Sequence, residues 1–301
     1  MKTGLFVGAI TLDLVYRVEE FPSANQKAVA SDRTIAAGGP ATNASVAFSA
    51  LGNRGTVMGV LGAHPISELI RSDLANCGVE IADLQPDFPD PPTVSSIVVT
   101  QSTGERAVIS TNTTKAKITT HSYLKNKQKY VLENIDILLI DGHQMELSEA
   151  IAREAKTREI PVVIDGGSWK PQFDRVLRFA DYAICSANFF PPNCPKETEL
   201  ENDRQCDRVI AELQNFGIPN IAITYGDRPI QALSDNRRFQ IEVSQIQAVD
   251  TLGAGDIFHG AFCHYILECD FAEALARSAE IAARACQSFG TRNWLREGMQ
   301  N

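Results

Sequence analysis

Seven consecutive residues, Asp250-Thr251-Leu252-Gly253-Ala254-Gly255-Asp256, have the types and spacing to do chemistry, and an apolar run, residues 257–262, follows at once. The glycines free the backbone to curl, so the N–H groups of Gly253, Ala254, Gly255 and Asp256 can point into one concavity at the positive end of a helix. Such a nest suits an anion, most commonly phosphate. A carboxylate beside an anion hole has a use if it takes a proton from a hydroxyl attacking the phosphoryl group held there. The plain alternative is Asp256 as a helix cap.

The elements that must position these residues read as α/β. Short apolar, β-branched runs at 5–10, 56–61, 137–141, 161–165, 182–186 and 220–224 alternate with helical patterns at 41–51, 146–158, 201–216, 257–267 and 271–289. That rhythm predicts a mainly parallel sheet flanked by helices. Residues 93–111 break it: two alternating runs enclose the turn Ser102-Thr103-Gly104, a β-hairpin. With extended segments near 14–18 and 27–34 it is expected to form a small antiparallel sheet serving as a lid. The whole chain, 1–301, is expected to be one domain with lid strands inserted at about 14–34 and 93–111. Proline-rich stretches at 86–92 and 191–195 mark loops.

Composition narrows the field. Twenty-eight basic against 37 acidic side chains give a net charge of -9, and no Lys/Arg run occurs, which argues against a nucleic-acid surface. No stretch approaches transmembrane length, and the start lacks the form of a secretory signal, so a cytoplasmic protein without membrane contact is expected. Seven scattered cysteines form no C-x-x-C pair and read as reduced thiols. The Walker pattern, the dinucleotide fingerprint and the G-x-S-x-G elbow are all absent. Five dispersed histidines, His64, His121, His143, His259 and His264, are expected to be structural or solvated.

Four segments together carry a resemblance to a known family. They are Gly8 with Asp13 beyond it; Gly38-Gly39-Pro40-Ala41-Thr42-Asn43; Thr224-Tyr225-Gly226; and Asp250 to Asp256. In these the chain resembles the ribokinase-like, or PfkB, carbohydrate kinases over essentially its whole length, and the last segment matches the family's D-T-x-G-A-G-D signature at every fixed position. The resemblance implies the ribokinase-like fold and ATP-dependent phosphorylation of a primary hydroxyl on a sugar, with ATP and Mg²⁺ as cofactors. It makes Asp256 the base and Gly253, Ala254 and Gly255 the anion hole. Asp13, Gly38, Gly39 and Asn43 would meet the sugar. Asn188, Thr224, Gly226, Asp250 and Gly255 would lie on the nucleotide side, with small residues around 279–283 against the adenine. Mg²⁺ would be held mainly by the ATP phosphates, and a monovalent cation such as K⁺ near Asp250, Leu252, Ala285 and Gly290. Arg106, on the return strand of the hairpin, would either reach an anionic group of the substrate or face solvent.

The departures concern metal handling and substrate subtype. The family's Asn-x-x-Glu reads Asn188-Phe189-Phe190-Pro191 here, residues 62–67 lack the usual Asp, and Pro40 replaces a lysine. A nucleoside kinase on the same fold and a catalytically idle sugar- or nucleotide-binding relative are the competing readings. Exposed lid strands lead one to expect a homodimer pairing through the lid.

Overall fold

The computed structural model describes residues 1–111, 132–194 and 202–297; Pro195, Glu201 and His121, named above, lie outside them. The strands are β1 (Thr3–Val7), β2 (Thr11–Val18), β3 (Asp32–Gly38), β4 (Arg54–Gly59), β5 (Val79–Asp83), β6 (Thr93–Thr100), β7 (Arg106–Ser110), β8 (Ile137–Ile140), β9 (Val162–Gly166), β10 (Tyr182–Ser186), β11 (Asn220–Tyr225), β12 (Arg228–Ser234) and β13 (Arg237–Ile241). They make a nine-stranded sheet, in the order β13-β12-β11-β10-β9-β8-β1-β4-β5, and a four-stranded sheet, β3-β2-β6-β7.

Seven strands of the large sheet run parallel, and β12 and β13 add an antiparallel edge. Parallel strands covered by helices on both faces should be apolar throughout, and Ile137-Leu138-Leu139-Ile140 is wholly buried. Its side chains alternate between two cores: Leu138 and Ile140 pack on one face of the sheet, Ile137 and Leu139 on the other. The order runs outward from β1 in both directions, so the carboxyl ends of β1 and β8 flank a topological switch point, where α/β sheets open a crevice for ligands.

The expected strand at 5–10 starts and ends earlier. β1 stops at Val7, and residues 8–10 carry the chain out of the large sheet into β2 of the small one. The segment placed at 27–34 lies further on, as β3, and ends in Gly38. The small sheet consists of two antiparallel pairs, β2/β3 and β6/β7, joined by a parallel seam between β2 and β6. Val15, Ile97 and Val99 seat it on Phe289, Val249 and Leu252, beside the Asp250 loop.

Helix α1 (Pro40–Ala50) has Pro40 in its first turn after Gly39, whose φ of 100° suits glycine. Helix α2 (Ser67–Asn76) and strand β5 carry no strong periodic signal in sequence and were not expected. The β12–β13 hairpin was also missed, although Asp235 and Asn236 at its turn both have positive φ, the conformation its tight connection requires. A helix spans Ala254–Tyr265, three residues earlier than expected, so Ala254, Gly255 and Asp256 form its first turn. The last long helix, Phe271–Ala285, stops before Gly290, where φ is 76°.

Candidate active site

Close packing of two helices joins the reactive groups. Gly260 of the Ala254–Tyr265 helix lies against Ala44 and Ala47 of α1, where any Cβ would collide with the Ala44 carbonyl. This contact sets the first turns of both helices side by side. Asn43 in one donates its Nδ2 proton to Oδ2 of Asp256 in the other, at 2.9 Å.

Gly253 precedes the turn in the left-handed region, φ 72°. The N–H of Ile257 closes the turn on the Gly253 carbonyl at 2.8 Å. The N–H groups of Gly253, Gly255 and Asp256 come before it, at the positive end of the helix. The fourth expected donor is drawn aside, since the Ala254 N–H bonds the Thr251 carbonyl at 3.3 Å. A Cβ added to exposed Gly255 would meet no neighbouring side chain or other element within 4 Å, so the first turn is open at this residue.

Asp256 is partly exposed as a whole residue, through the mouth of the site, yet protein crowds its carboxyl. Burial, followed by the charge of Asp165, pushes its pKa up to about 6, against lowering contributions from the Asn43 hydrogen bond, His259 and Arg106. Asp165, on β9, is buried, and its Oδ2 has no hydrogen-bond partner. That oxygen lies 3.6 Å from Nδ1 of His259, whose ring contacts the Gly255 carbonyl at 2.6 Å and the Ile184 carbonyl at 3.0 Å. His259 thereby ties the first turn of its helix to β9 and β10.

On the other side of Asp256, two glycines leave room for two carboxylates. Asp141 fills the space a side chain on Gly8 would need, and Asp13 the space beside Gly38. Asp13 is buried and accepts from the Thr11 hydroxyl at 2.9 Å; burial raises its pKa. Asp141, just past β8, accepts backbone N–H groups of Ala9, Ala41 and His143 and faces the His143 ring at 2.9 Å. Burial alone would raise its pKa, but the His143 ring and Lys170 hold it well below the usual carboxylate range. Asp141 in turn raises the pKa of His143.

The remaining expected residues separate by place. Thr224 bonds the Cys185 carbonyl at 3.4 Å, Gly226 has φ 71° with open space around it, and exposed Asn188 bonds the Ser186 hydroxyl through its N–H. All three sit at the carboxyl ends of β10 and β11. Both oxygens of Asp250 take backbone N–H groups, of Leu252 at 2.8 Å and Gly290 at 2.9 Å, and burial raises its pKa. The Ala285 carbonyl accepts from Ser288. In this arrangement Asp250 clasps the loop rather than presenting free oxygens.

Arg106 is exposed on β7 and its guanidinium turns to the neighbouring loop. Its Nη1 donates to the carbonyl and hydroxyl of Thr251, at 3.0 and 2.8 Å, and the Thr251 hydroxyl bonds Gly104 in the hairpin turn at 3.3 Å. The small sheet is therefore pinned to the loop that holds Thr251. Ala279 is buried in the core, and half-buried Ala282 packs against it.

The functional reading of the sequence missed Asp165, His143, His259 and Arg292. Strand-end position was a signal for Asp165, and one helical turn from the signature a signal for His259. Arg292 left only its type: its guanidinium reaches Asp73 on α2, the Ala37 carbonyl on β3, Thr291 and the Asn43 Oδ1. Among the described residues no group of three His, Cys, Asp or Glu could hold a metal, and no helix is long and apolar enough to cross a membrane. No disulfide joins the cysteines among the described residues.

Comparison with known proteins identifies the family and the fold. The family model for pfkB family carbohydrate kinases matches residues 1–297. A ribokinase of Arabidopsis thaliana is 26% identical over 297 residues, covering 93% of this chain and 74% of that protein. The Arabidopsis thaliana ribokinase structure complexed with ribose and ATP superposes with a TM-score of 0.74 at 20% identity, over 100% of this chain and 99% of that one. A ribokinase structure from Giardia lamblia gives 0.79 at 16% identity, over 99% of each chain.

Proposed function

Since the chain belongs to the pfkB family of carbohydrate kinases, we propose that it transfers the γ-phosphoryl group of ATP to a primary hydroxyl of a sugar, with Asp256 as the base. The observation that carries this reading is the position of the Asp256 carboxylate, directly hydrogen-bonded to Asn43 and set in the first turn of a helix beside exposed Gly255. Sugar hydroxyls would meet Asp13 and Asn43 on the β1–β8 side. The nucleotide would lie over β10 and β11, near Asn188, Thr224 and Gly226.

In the reaction, the sugar hydroxyl gives its proton to Asp256 as its oxygen attacks phosphorus, and the N–H groups of Gly253, Gly255 and Asp256 stabilise charge on the transferred group. A pKa raised towards neutrality suits a base working near pH 7. Mg²⁺ held on the ATP phosphates would offset their charge, and K⁺ would be held by backbone carbonyls near Asp250, Leu252, Ala285 and Gly290. The anchored hairpin supports a lid role for the small sheet within one 1–301 domain. Val108 and Ile109, exposed on edge strand β7, support pairing of two copies there, which light scattering would read.

ATP consumption across a panel of sugars, sugar acids, sugar phosphates and nucleosides, in wild type and Asp256→Asn, tests the reading. Turnover with a sugar, reduced at least about 100-fold in the variant, is expected from the usual worth of a positioned base. Asp256→Asn retaining a tenth of wild-type kcat would exclude the role, and turnover of nucleosides alone would move the substrate class.

A further inference from the structure

We propose that Arg292 is a positioning residue that fixes the orientation of the Asn43 amide and so keeps Asp256 in its ionised, proton-accepting form. This rests on the reading of Asp256 as the base. A guanidinium can only donate, so the atom of Asn43 facing Arg292 Nη1 at 3.0 Å must be its oxygen. The amide nitrogen is then compelled to face Asp256. Without Arg292 the amide could turn over and accept a proton from a neutral Asp256, an arrangement that stabilises the wrong state of the base. With Arg292 in place, Asn43 can only donate to Asp256, which favours the carboxylate, the stronger acceptor.

Arg292 is itself held on several sides. Nε and Nη2 donate to Asp73 Oδ2 at 3.2 and 3.1 Å, Nη2 to the Ala37 carbonyl at 2.7 Å, and Nη1 also to the Thr291 hydroxyl at 3.0 Å. Its side chain is 13% exposed. Asp73 also takes the N–H of Ala37 at 2.9 Å. One guanidinium thus joins α2, the end of β3 that leads into Gly38 and Gly39, and the first turn of α1. A single ammonium could not span these acceptors in the same plane.

Other charges facing Asp256 must be distinguished from this effect: Asp165 and His259 lie below it, and Arg106 reaches towards it from the small sheet. None of them touches Asn43 Oδ1 in the described structure, so the orientation effect belongs to Arg292. The test is titration of the Asp256 carboxyl carbon by ¹³C NMR, assigned with Asp256→Asn, in wild type, Arg292→Met, Arg292→Lys, Asn43→Ala and Asn43→Ala/Arg292→Met. Arg292→Met should raise the midpoint by about one pH unit, the order expected for one hydrogen bond to a charged group. Arg292→Lys should restore part of it, and Arg292→Met should add nothing in the Asn43→Ala background. An unmoved midpoint in folded Arg292→Met, or an equal shift with Asn43 absent, overturns the proposal; if that variant does not fold, Arg292→Lys carries the decision by the same criterion. Because the readout needs no turnover, failure of the relay is separable from failure of the kinase reading, which Asp256→Asn kinetics decide.

Discussion

Replacing Asp165 by Asn removes the negative charge beside the base while keeping its size and its Oδ1 acceptor for the Gly167 N–H. The consequence follows from the site's electrostatics. Asp256 titrates at about 6 instead of 3.8, with burial the leading cause and Asp165 the next. An acid with a pKa of about 6 is roughly 90% ionised at pH 7 and roughly 10% at pH 5. Activity limited by the carboxylate should therefore fall about tenfold over that interval, whereas an unperturbed carboxyl would stay more than about 90% ionised. Asp165→Asn leaves the burial contribution in place, so its acid limb should move down by about one pH unit and recover several-fold activity at pH 5. The assay is kcat/KM for a neutral sugar between pH 4.5 and 9, beside the Asp256 ¹³C titration without nucleotide. A wild-type midpoint below about pH 5, or an Asp165→Asn limb that coincides with the wild-type one, would refute the electrostatic reasoning.

Two further outcomes are expected. The folded state binds the Asp256 proton more tightly than the unfolded chain, so this group stabilises folding below about pH 3.8 and loses that contribution as pH rises through about 6. Asp256→Asn should then be more stable than wild type at pH 8 by about 1–3 kcal/mol, the lower end reflecting water at the open side, with no gain at pH 3.5; urea denaturation at both pH values reads it. Gly260→Ala should force the helix Ala254–Tyr265 away from α1, cost about 1–3 kcal/mol of stability and lower kcat by lengthening the Asn43–Asp256 contact. Unchanged melting and kcat would show that the helices separate freely.

Much of the chemistry was written locally. Asp250 to Asp256 announces itself because a helix N-terminus, glycines that permit curling and a carboxylate are all properties of adjacent residues. The family resemblance rested on such runs, and the α/β reading rested on apolar strands such as 137–140, whose burial on both faces needs no partner to be guessed. What tertiary structure alone decided is which distant residues meet. That Gly38 is empty for Asp13 and Gly8 for Asp141 depends on the crossing of strands and loops. That Arg106 grips Thr251 depends on the small sheet docking through Val15, Ile97 and Val99. Arg292, Asn43 and Asp256 are far apart in the chain and meet because Gly260 lets two helices touch. A lone arginine or asparagine carries no periodicity or local pattern, so its partner is set by packing. The sequence by itself marked the glycine-rich turn and Asp256; the fold determined the charges around that carboxylate, and with them the upward direction of its pKa.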